Sequence, residues 1–191
     1  DVRHEQAAAM MAQAYSRLQQ RPGVCMAASG PATINLSTGL ANALIDCCPV
    51  VALGGAGPVS GYGRQVFQEI DQMEIMSGCV KYAARVHDAR RIPEMLNVAM
   101  QRAMSGKPGP VYLDLPGDVL YQMVDEDKID WSPSERPILG ARPPAPQAQI
   151  DELAAALAKA ERPVLLSGSG VIWSQAWEEL HALVDATGIP F

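Results

Sequence analysis

The sequence has few of the features that mark a membrane, nucleic-acid-binding or metal-binding protein. No apolar run approaches the length of about 20 residues that crosses a bilayer. Nucleic-acid binding is not favoured either, because 15 Lys and Arg are outnumbered by 21 Asp and Glu, a net charge of -6. His4, His87 and His181 have no second His or Cys at metal-ligand spacing. We therefore expect no nucleic-acid partner, no membrane association and no metal site built by this chain.

Cysteine is also scarce, and its spacing excludes a CxxC pair. Cys25, Cys47, Cys48 and Cys79 are the four cysteines, and the middle two are adjacent in an apolar stretch. Buried, reduced thiols are the interpretation that fits this pattern, and they are typical of a cytoplasmic protein. With 191 residues, 48% of them apolar, the chain can bury one full core and part of another.

Short apolar runs alternate with helix-forming stretches along the first 115 residues. The predicted strands are Gly23–Ala28, Pro49–Leu53, Val80–Val86 and Pro110–Leu115. The predicted helices are Gln6–Gln19, one capped by Thr33 or Asn35 that runs to about Asp46, Gln68–Met76 and Ala89–Met104. Gly54, Gly55 and Gly57 are expected in a loop. This alternation predicts the α/β class, a parallel sheet with helices on both faces.

A proline-rich stretch divides the chain. Five prolines lie from Pro133 to Pro146 with few apolar residues, which predicts a stiff linker over 126–148. We therefore expect one domain over 1–125 and the incomplete start of a second, Rossmann-like α/β domain over 149–191. In the second domain we expect two helices and a strand: Ile150–Ala160, Gln175–Thr187 and Pro163–Ser167. The first residues read as the tail of a strand and the last as the start of one. We therefore expect a fragment, truncated at the N-terminus, of a longer enzyme.

Two segments carry the clearest chemical signal. Glu5 stands at a strand-to-helix junction, and twenty-four residues later the run Ser29-Gly30-Pro31-Ala32-Thr33-Ile34-Asn35 begins. A small kinked loop at the carboxyl end of a parallel strand is where ligands bind in open α/β sheets. Simpler interpretations stay open, namely a carboxylate stabilised by the helix dipole and an ordinary strand-to-helix turn.

These segments resemble the pyrimidine-binding domain of thiamine diphosphate enzymes. The resemblance is to the group that contains acetolactate synthase, oxalyl-CoA decarboxylase and 2-hydroxyacyl-CoA lyase. Further matching segments follow in order: Leu40–Ala43, Pro49–Leu53, Phe67–Glu69, Lys81 and Gly106–Pro116. The match is dense to about Asp118 and looser beyond it. It identifies the expected first domain, 1–125, as a pyrimidine-binding domain.

The resemblance assigns a role to each segment. Glu5 would hydrogen-bond the pyrimidine ring nitrogen of thiamine diphosphate and so start formation of the reactive ylid. Ser29, Gly30, Pro31 and Asn35 would join Glu5 in contacting the cofactor. The role needs a carboxyl that holds a proton near neutral pH, so desolvation by cofactor and neighbouring subunit must outweigh the helix N-terminus. Many relatives have a second glycine at position 32, where this chain has Ala32. Because residues with a side chain disfavour a positive φ, Ala32 predicts a negative φ at this position.

Gln68 is the second catalytic candidate that the resemblance indicates. It lies in Phe67-Gln68-Glu69, a segment that borders the reacting carbon, and its amide can both donate and accept hydrogen bonds. Oxalyl-CoA decarboxylases typically have Tyr-Glu-Glu there. The alternative is that Phe67 packs and that the next two residues begin a helix.

The expected second domain offers a possible nucleotide site. Gly168, Ser169 and Gly170 follow a predicted strand but lack the third glycine of a dinucleotide fingerprint. In the family that the chain resembles, this middle domain binds FAD, ADP or the nucleotide part of coenzyme A. Trp173 and Trp177 could stack on an adenine, although packing is the simpler role.

The expected activity is that of a thiamine diphosphate-dependent carbon-carbon lyase or carboligase, closest to 2-hydroxyacyl-CoA lyase. Acetolactate synthase, oxalyl-CoA decarboxylase and a non-catalytic scaffold are the alternatives. The Gly-Asp-Gly segment that binds Mg²⁺ and diphosphate in the family has no match here. The resemblance therefore places the metal ligands outside this chain. It also implies a homodimer or homotetramer with the site at the subunit interface, acting on a small acyl-CoA or 2-oxo acid.

Overall fold

The computed structural model describes residues 1–137 and 143–191. The chain forms two compact units, Asp1–Gly140 and Ala141–Phe191, which we take one at a time. The predicted linker over 126–148 includes residues 138–142, which lie outside the described residues. The domain boundaries expected from the sequence therefore stay predictions.

The first unit is built on a parallel sheet. Its strands are β1 (Gly23–Ala27), β2 (Val50–Ala56), β3 (Tyr82–Arg85) and β4 (Val111–Pro116). Within the residues described, the order is β1-β2-β4-β3 and every neighbouring pair is parallel. The α/β fold expected from the alternating pattern is confirmed.

Helices cover both faces of this sheet. They are α1 (Glu5–Gln19), α2 (Pro31–Asn35), α3 (Ser37–Ile45), α4 (Gln72–Ser77), α5 (Ile92–Met104) and α6 (Gly117–Leu120). Short 3₁₀ turns occupy Val59–Gly61, Ala89–Arg91, Glu126–Lys128 and Ser132–Glu135. The α1 helix contacts Gly23, which pairs with Val50, whereas α5 packs on Val51, the next residue of β2. Because successive side chains of a strand point to opposite sides, the two helices lie on opposite faces.

Each face has its own packing. On one face, α1 approaches β1 so closely that a Cβ atom built on Gly23 would lie 2.0 Å from the carbonyl oxygen of Ala12. On the other face, Ala99 and Ala103 of α5 pack on apolar strand side chains of the sheet, which are Val51, Val111 and Leu113. Small helix residues allow both helices to lie close to the sheet.

Three boundaries differ from expectation. Neither Thr33 nor Asn35 caps the helix after β1, because α2 begins at Pro31, a residue suited to the first helical turn. The loop expected at Gly54 and Gly55 is wrong, because these residues continue β2 and pair with β4. The α4 helix begins at Gln72 and not at residue 68, because Asp71 caps it by accepting a hydrogen bond from the backbone of Glu74.

The second unit contains α7 (Gln147–Lys159), α8 (Ser169–Ser174) and α9 (Trp177–Thr187). The strand expected over 163–167 is wrong, since residues 143–191 contain no strand. A strand exists only where a neighbour pairs with it, and the contact here is one bond from the Leu165 amide to the Pro190 carbonyl, 2.9 Å. The start of a Rossmann-like domain stays a prediction. Across the described parts of both units, no helix has the length and apolar character to cross a bilayer.

We expect Gly23→Ala to lower the thermal unfolding midpoint of the protein, because its new methyl group would overlap the backbone of Ala12. Overpacking of this kind costs roughly 1–3 kcal/mol or more. Gly78→Ala is the control, since its Cβ would lie 3.8 Å from the nearest atom, the Ile75 carbonyl oxygen. Equal midpoints for the two variants, measured by circular dichroism, would contradict this account of the α1–β1 contact.

Candidate functional site

The carboxyl ends of the parallel strands bring the candidate residues to one edge of the sheet. Ser29 and Gly30 follow β1, Arg85 ends β3, and Asp114 lies in the second half of β4. This edge is where ligands bind in open α/β sheets. The loops that follow the strands therefore form the candidate site.

Glu5 lies in the first turn of α1, after His4, whose Nδ1 accepts a hydrogen bond from the Gln6 amide. Its carboxylate is partly exposed, and its Oε2 accepts a hydrogen bond of 2.9 Å from Nδ2 of Asn35. This bond from Asn35, followed by the backbone amide of Glu5 itself, lowers the pKa of the Glu5 carboxyl, while desolvation opposes the shift. Within this chain, the carboxylate is therefore the favoured form.

The loop after β1 depends on Gly30. Its backbone has φ 60° and ψ -120°, a conformation that side chains disfavour. A Cβ atom there would also lie 2.4 Å from the carbonyl oxygen of Gln68. Pro31 then opens α2, and Ala32 lies inside that helix, where its backbone is not strained. The alanine that replaces the second glycine of many relatives is thus accommodated.

Gln68 meets this loop directly. Its own backbone is left-handed, with φ 59°, and its Oε1 accepts a hydrogen bond of 2.6 Å from Oγ of Ser29. Glu69 holds the preceding loop by accepting backbone hydrogen bonds from Gly63 and Val66. Phe67 does not pack, since 87% of its surface is exposed. The interpretation in which residues 68 and 69 begin a helix is wrong too, because the next helix, α4, begins at Gln72.

A buried polar network beneath the loop was not found from the sequence. Gln72 Oε1 accepts a hydrogen bond of 2.9 Å from the Gly30 amide. Gln72 Nε2 lies 2.7 Å from the carbonyl oxygen of Gly55, 2.7 Å from the Tyr112 hydroxyl and 2.6 Å from Oδ1 of Asp114. The Tyr112 hydroxyl in turn donates to Asp114 at 2.6 Å. The loop is thus tied to the centre of the sheet.

Asp114 is the centre of this network and has no exposed surface. Its Oδ2 accepts a hydrogen bond of 2.5 Å from Nε of Arg85, whose guanidinium also lies over the Tyr62 ring, 5.7 Å from its centroid. Burial, and then the nearby Asp114 charge, raises the pKa of the Tyr112 hydroxyl. Tyr112 therefore stays protonated and remains a donor. An aspartate inside the buried run Val111-Tyr112-Leu113-Asp114 was the available sequence signal.

The structure brings the predicted residues together in two pairs. Glu5 meets Asn35 at one end of α2, and Ser29 meets Gln68 before its other end. A groove of about 870 Å³ beside Glu5 is lined mainly by apolar residues of α1 and β1. In the second unit, Ser169 and Gly170 form the first residues of α8. No group of three or more His, Cys, Asp or Glu side chains in the described residues is placed to hold a metal ion.

Comparison with known proteins identifies the family. Residues 1–75 match "Thiamine pyrophosphate enzyme, N-terminal TPP binding domain", and residues 150–191 match the central domain of the same enzymes. Thiamine pyrophosphate is another name for thiamine diphosphate. The chain belongs to the thiamine pyrophosphate enzymes, which confirms the resemblance seen in the sequence.

Similar curated proteins include both a lyase and synthases. The chain is 37% identical to 2-hydroxyacyl-CoA lyase of Arabidopsis thaliana, over 98% of this chain and 33% of the relative. It is 41% identical to a probable acetolactate synthase large subunit of Methanococcus aeolicus, over 99% and 32%. It is 38% identical to the acetolactate synthase isozyme 2 large subunit of Escherichia coli K12, over 98% and 33%. The chain thus spans about a third of the length of these relatives.

We expect Asn35→Ala to raise the pKa of Glu5 towards its ordinary value, because the largest influence that lowers this pKa is the Asn35 hydrogen bond. A ¹³C NMR titration of the side-chain carboxyls would measure the change. Asn42→Ala serves as the control, since the Asn42 side chain, on α3, donates to Gln13 of α1 and not to Glu5. An unchanged Glu5 pKa in Asn35→Ala would contradict this assignment.

Proposed function

We propose that the full-length protein is a thiamine diphosphate-dependent carbon-carbon lyase or carboligase of the 2-hydroxyacyl-CoA lyase type. It would cleave or form the bond beside a 2-hydroxyacyl or 2-oxoacyl carbon. The observation that supports this most is the pairing of Glu5 with Asn35 and of Ser29 with Gln68 around one short segment. The match of residues 1–75 to a thiamine pyrophosphate binding domain supports the proposal that this segment contacts the cofactor.

The chemistry of the available groups fits the pyrimidine half of thiamine diphosphate. Glu5 supplies a carboxylate, Gln68 an amide and Ser29 a hydroxyl at the candidate site. An aminopyrimidine offers both donors and acceptors to such groups. When bound, this cofactor supplies a carbon centre that can carry negative charge. We assign Mg²⁺ and the diphosphate to residues outside this chain, since the Gly-Asp-Gly segment that binds them in the family has no match in this sequence.

Glu5 would hold and move a proton at the pyrimidine ring nitrogen. The Asn35 bond lowers the Glu5 pKa, so that bond alone opposes this role. Burial of a carboxyl raises its pKa, by several units when burial is complete. A bound cofactor and a partner subunit that cover Glu5 would therefore provide the shift that the reaction needs.

Gln68 would orient the substrate. Its Oε1 is engaged by Ser29, while its Nε2 donates to no acceptor among the described residues. That amide hydrogen is available to a carbonyl or hydroxyl oxygen on the reacting carbon. Ser29 would thus fix the direction in which the Gln68 amide points.

The remaining assignments follow from the same proposal. We propose a homodimer or homotetramer with the site at the subunit interface, which agrees with the exposure of Phe67 beside Gln68. Gly168, Ser169 and Gly170 at the start of α8 are our candidates for contact with ADP, coenzyme A or FAD. Four free cysteines support a cytoplasmic location.

Acetolactate synthase is the second candidate function. Relatives with that name share 38% and 41% of their aligned residues with this chain, much as the lyase shares 37%. Oxalyl-CoA decarboxylase is less well supported, because this chain has Phe67 and Gln68 in place of the Tyr-Glu typical of that activity. A scaffold without activity would have no physical need for Glu5 or Gln68.

We expect Glu5→Gln in the full-length enzyme to reduce turnover by roughly 10²–10⁴-fold, the usual contribution of general acid-base catalysis. An amide cannot exchange the proton, whereas its similar shape should preserve cofactor binding. The experiment measures kcat at saturating thiamine diphosphate and Mg²⁺. Glu74→Gln is the matched control, because this exposed glutamate lies on α4 and is expected to keep near wild-type turnover. Near wild-type turnover in Glu5→Gln would refute the assignment.

Two assays separate the candidate functions. We expect the full-length enzyme to join formyl-CoA to an aldehyde or ketone, forming a 2-hydroxyacyl-CoA, and to be inactive on pyruvate. Mass spectrometry of the products measures both activities. Acetolactate formed from pyruvate, together with tightly bound yellow FAD, would refute the lyase function and support acetolactate synthase instead.

A further inference from the structure

The buried Gln72 amide joins the proposed cofactor loop to a charge in the centre of the sheet. Its Oε1 faces the Gly30 amide at 2.9 Å, and its Nε2 faces Oδ1 of Asp114 at 2.6 Å. Gln72 is 1% exposed and Asp114 is 0% exposed. The Gly30 amide belongs to the residue between Ser29 and Pro31, both of which we place against the cofactor.

The orientation of this amide follows from its neighbours. A backbone N–H can only donate, so Gly30 requires the amide oxygen of Gln72. A carboxylate and a carbonyl can only accept, so Asp114 and Gly55 require the amide nitrogen. The two ends of the Gln72 amide therefore cannot exchange without placing a donor against a donor at Gly30.

Both side-chain oxygens of Asp114 act as acceptors in this network. One of its oxygens accepts from Arg85 and the other accepts from Tyr112 and Gln72. An asparagine at this position would present an NH₂ group to one of these sides. If its oxygen faced Arg85, its nitrogen would face Gln72 and would favour a flipped Gln72 amide. That flip would remove the acceptor from the Gly30 amide.

We propose that Asp114 and Gln72 form a positioning relay that holds the Gly30 loop in the conformation that receives the cofactor. Neither residue touches the reacting groups in this scheme. The relay acts only on the loop, and it rests on the proposed function for its consequence in catalysis. A loosened loop should weaken cofactor binding and leave the chemistry at saturation much less affected, since binding can restore the loop.

The test compares three variants of the full-length enzyme: Asp114→Asn, Gln72→Met and Tyr112→Phe. The first removes the charge, and the second keeps the length of the side chain but removes the amide. Tyr112→Phe is the matched control, because it removes a hydroxyl from the same buried cluster and leaves both ends of the Gln72 amide with partners. Each variant is assayed for KM of thiamine diphosphate, for kcat, and for hydrogen exchange of the Gly30 amide.

We expect Asp114→Asn and Gln72→Met each to raise the KM for thiamine diphosphate by roughly 5- to 150-fold, the range that corresponds to losing a buried hydrogen bond. The Gly30 amide should exchange faster in both variants. Tyr112→Phe should change KM and exchange less. A fourth variant combines Asp114→Asn with Gln72→Met. Its KM for thiamine diphosphate should exceed that of either single variant by little, because each single change already breaks the relay.

Several results would overturn the relay. One is an unchanged cofactor KM and an unchanged Gly30 exchange in a folded Asp114→Asn or Gln72→Met variant, even if its melting temperature falls. Another is a double variant whose effects simply multiply. A third is a Tyr112→Phe effect as large as that of Asp114→Asn. A wild-type enzyme that neither binds thiamine diphosphate nor depends on it for activity would instead refute the proposed function. The hydrogen exchange of the Gly30 amide would still test the relay in that case.

Discussion

A fully buried carboxylate is the constraint on which the candidate site depends. Asp114 lies inside β4, a central strand, and has no exposed surface. Removing a partner from such a buried charge costs roughly 3–5 kcal/mol, so its surroundings must supply donors. Arg85 from β3, Tyr112 from β4 and Gln72 from α4 meet this demand. The need to satisfy one charge thus aligns two strands and a helix where the loops of the site begin.

The two halves of the site differ in how firmly they are held. Ser29 and Gln68 rest on the buried network through the Gly30 amide. Glu5 and Asn35 meet at the surface, and solvent weakens a contact of this kind. The half that contains Ser29 and Gln68 is therefore held in place by contacts within this chain alone. In the other half, Glu5 is only partly buried, and any molecule that covered its carboxyl would raise its pKa, because burial disfavours the charged form.

The sequence predicted what local periodicity controls and missed what distant pairing controls. The four strands and α1 and α5 followed from apolar spacing and helix-forming composition, within a few residues of their observed ends. Glu5, the Gly30 loop and Gln68 became candidates through their resemblance to a family. Gln72 and Asp114 lie 42 residues apart, and no spacing rule connects them. The strand predicted over 163–167 was wrong for the same reason, since a strand is defined by a neighbour.

The left-handed backbone of Gln68 has a consequence for protein engineering. A residue with a side chain at φ 59° carries a backbone cost of roughly 1–2 kcal/mol, which glycine would avoid. Glycine would also lose the amide that Ser29 orients. Residues kept in unfavourable conformations for a task are a common origin of the trade-off between stability and activity. Under the role proposed for Gln68, directed evolution for heat tolerance and directed evolution for turnover should therefore select different amino acids at position 68.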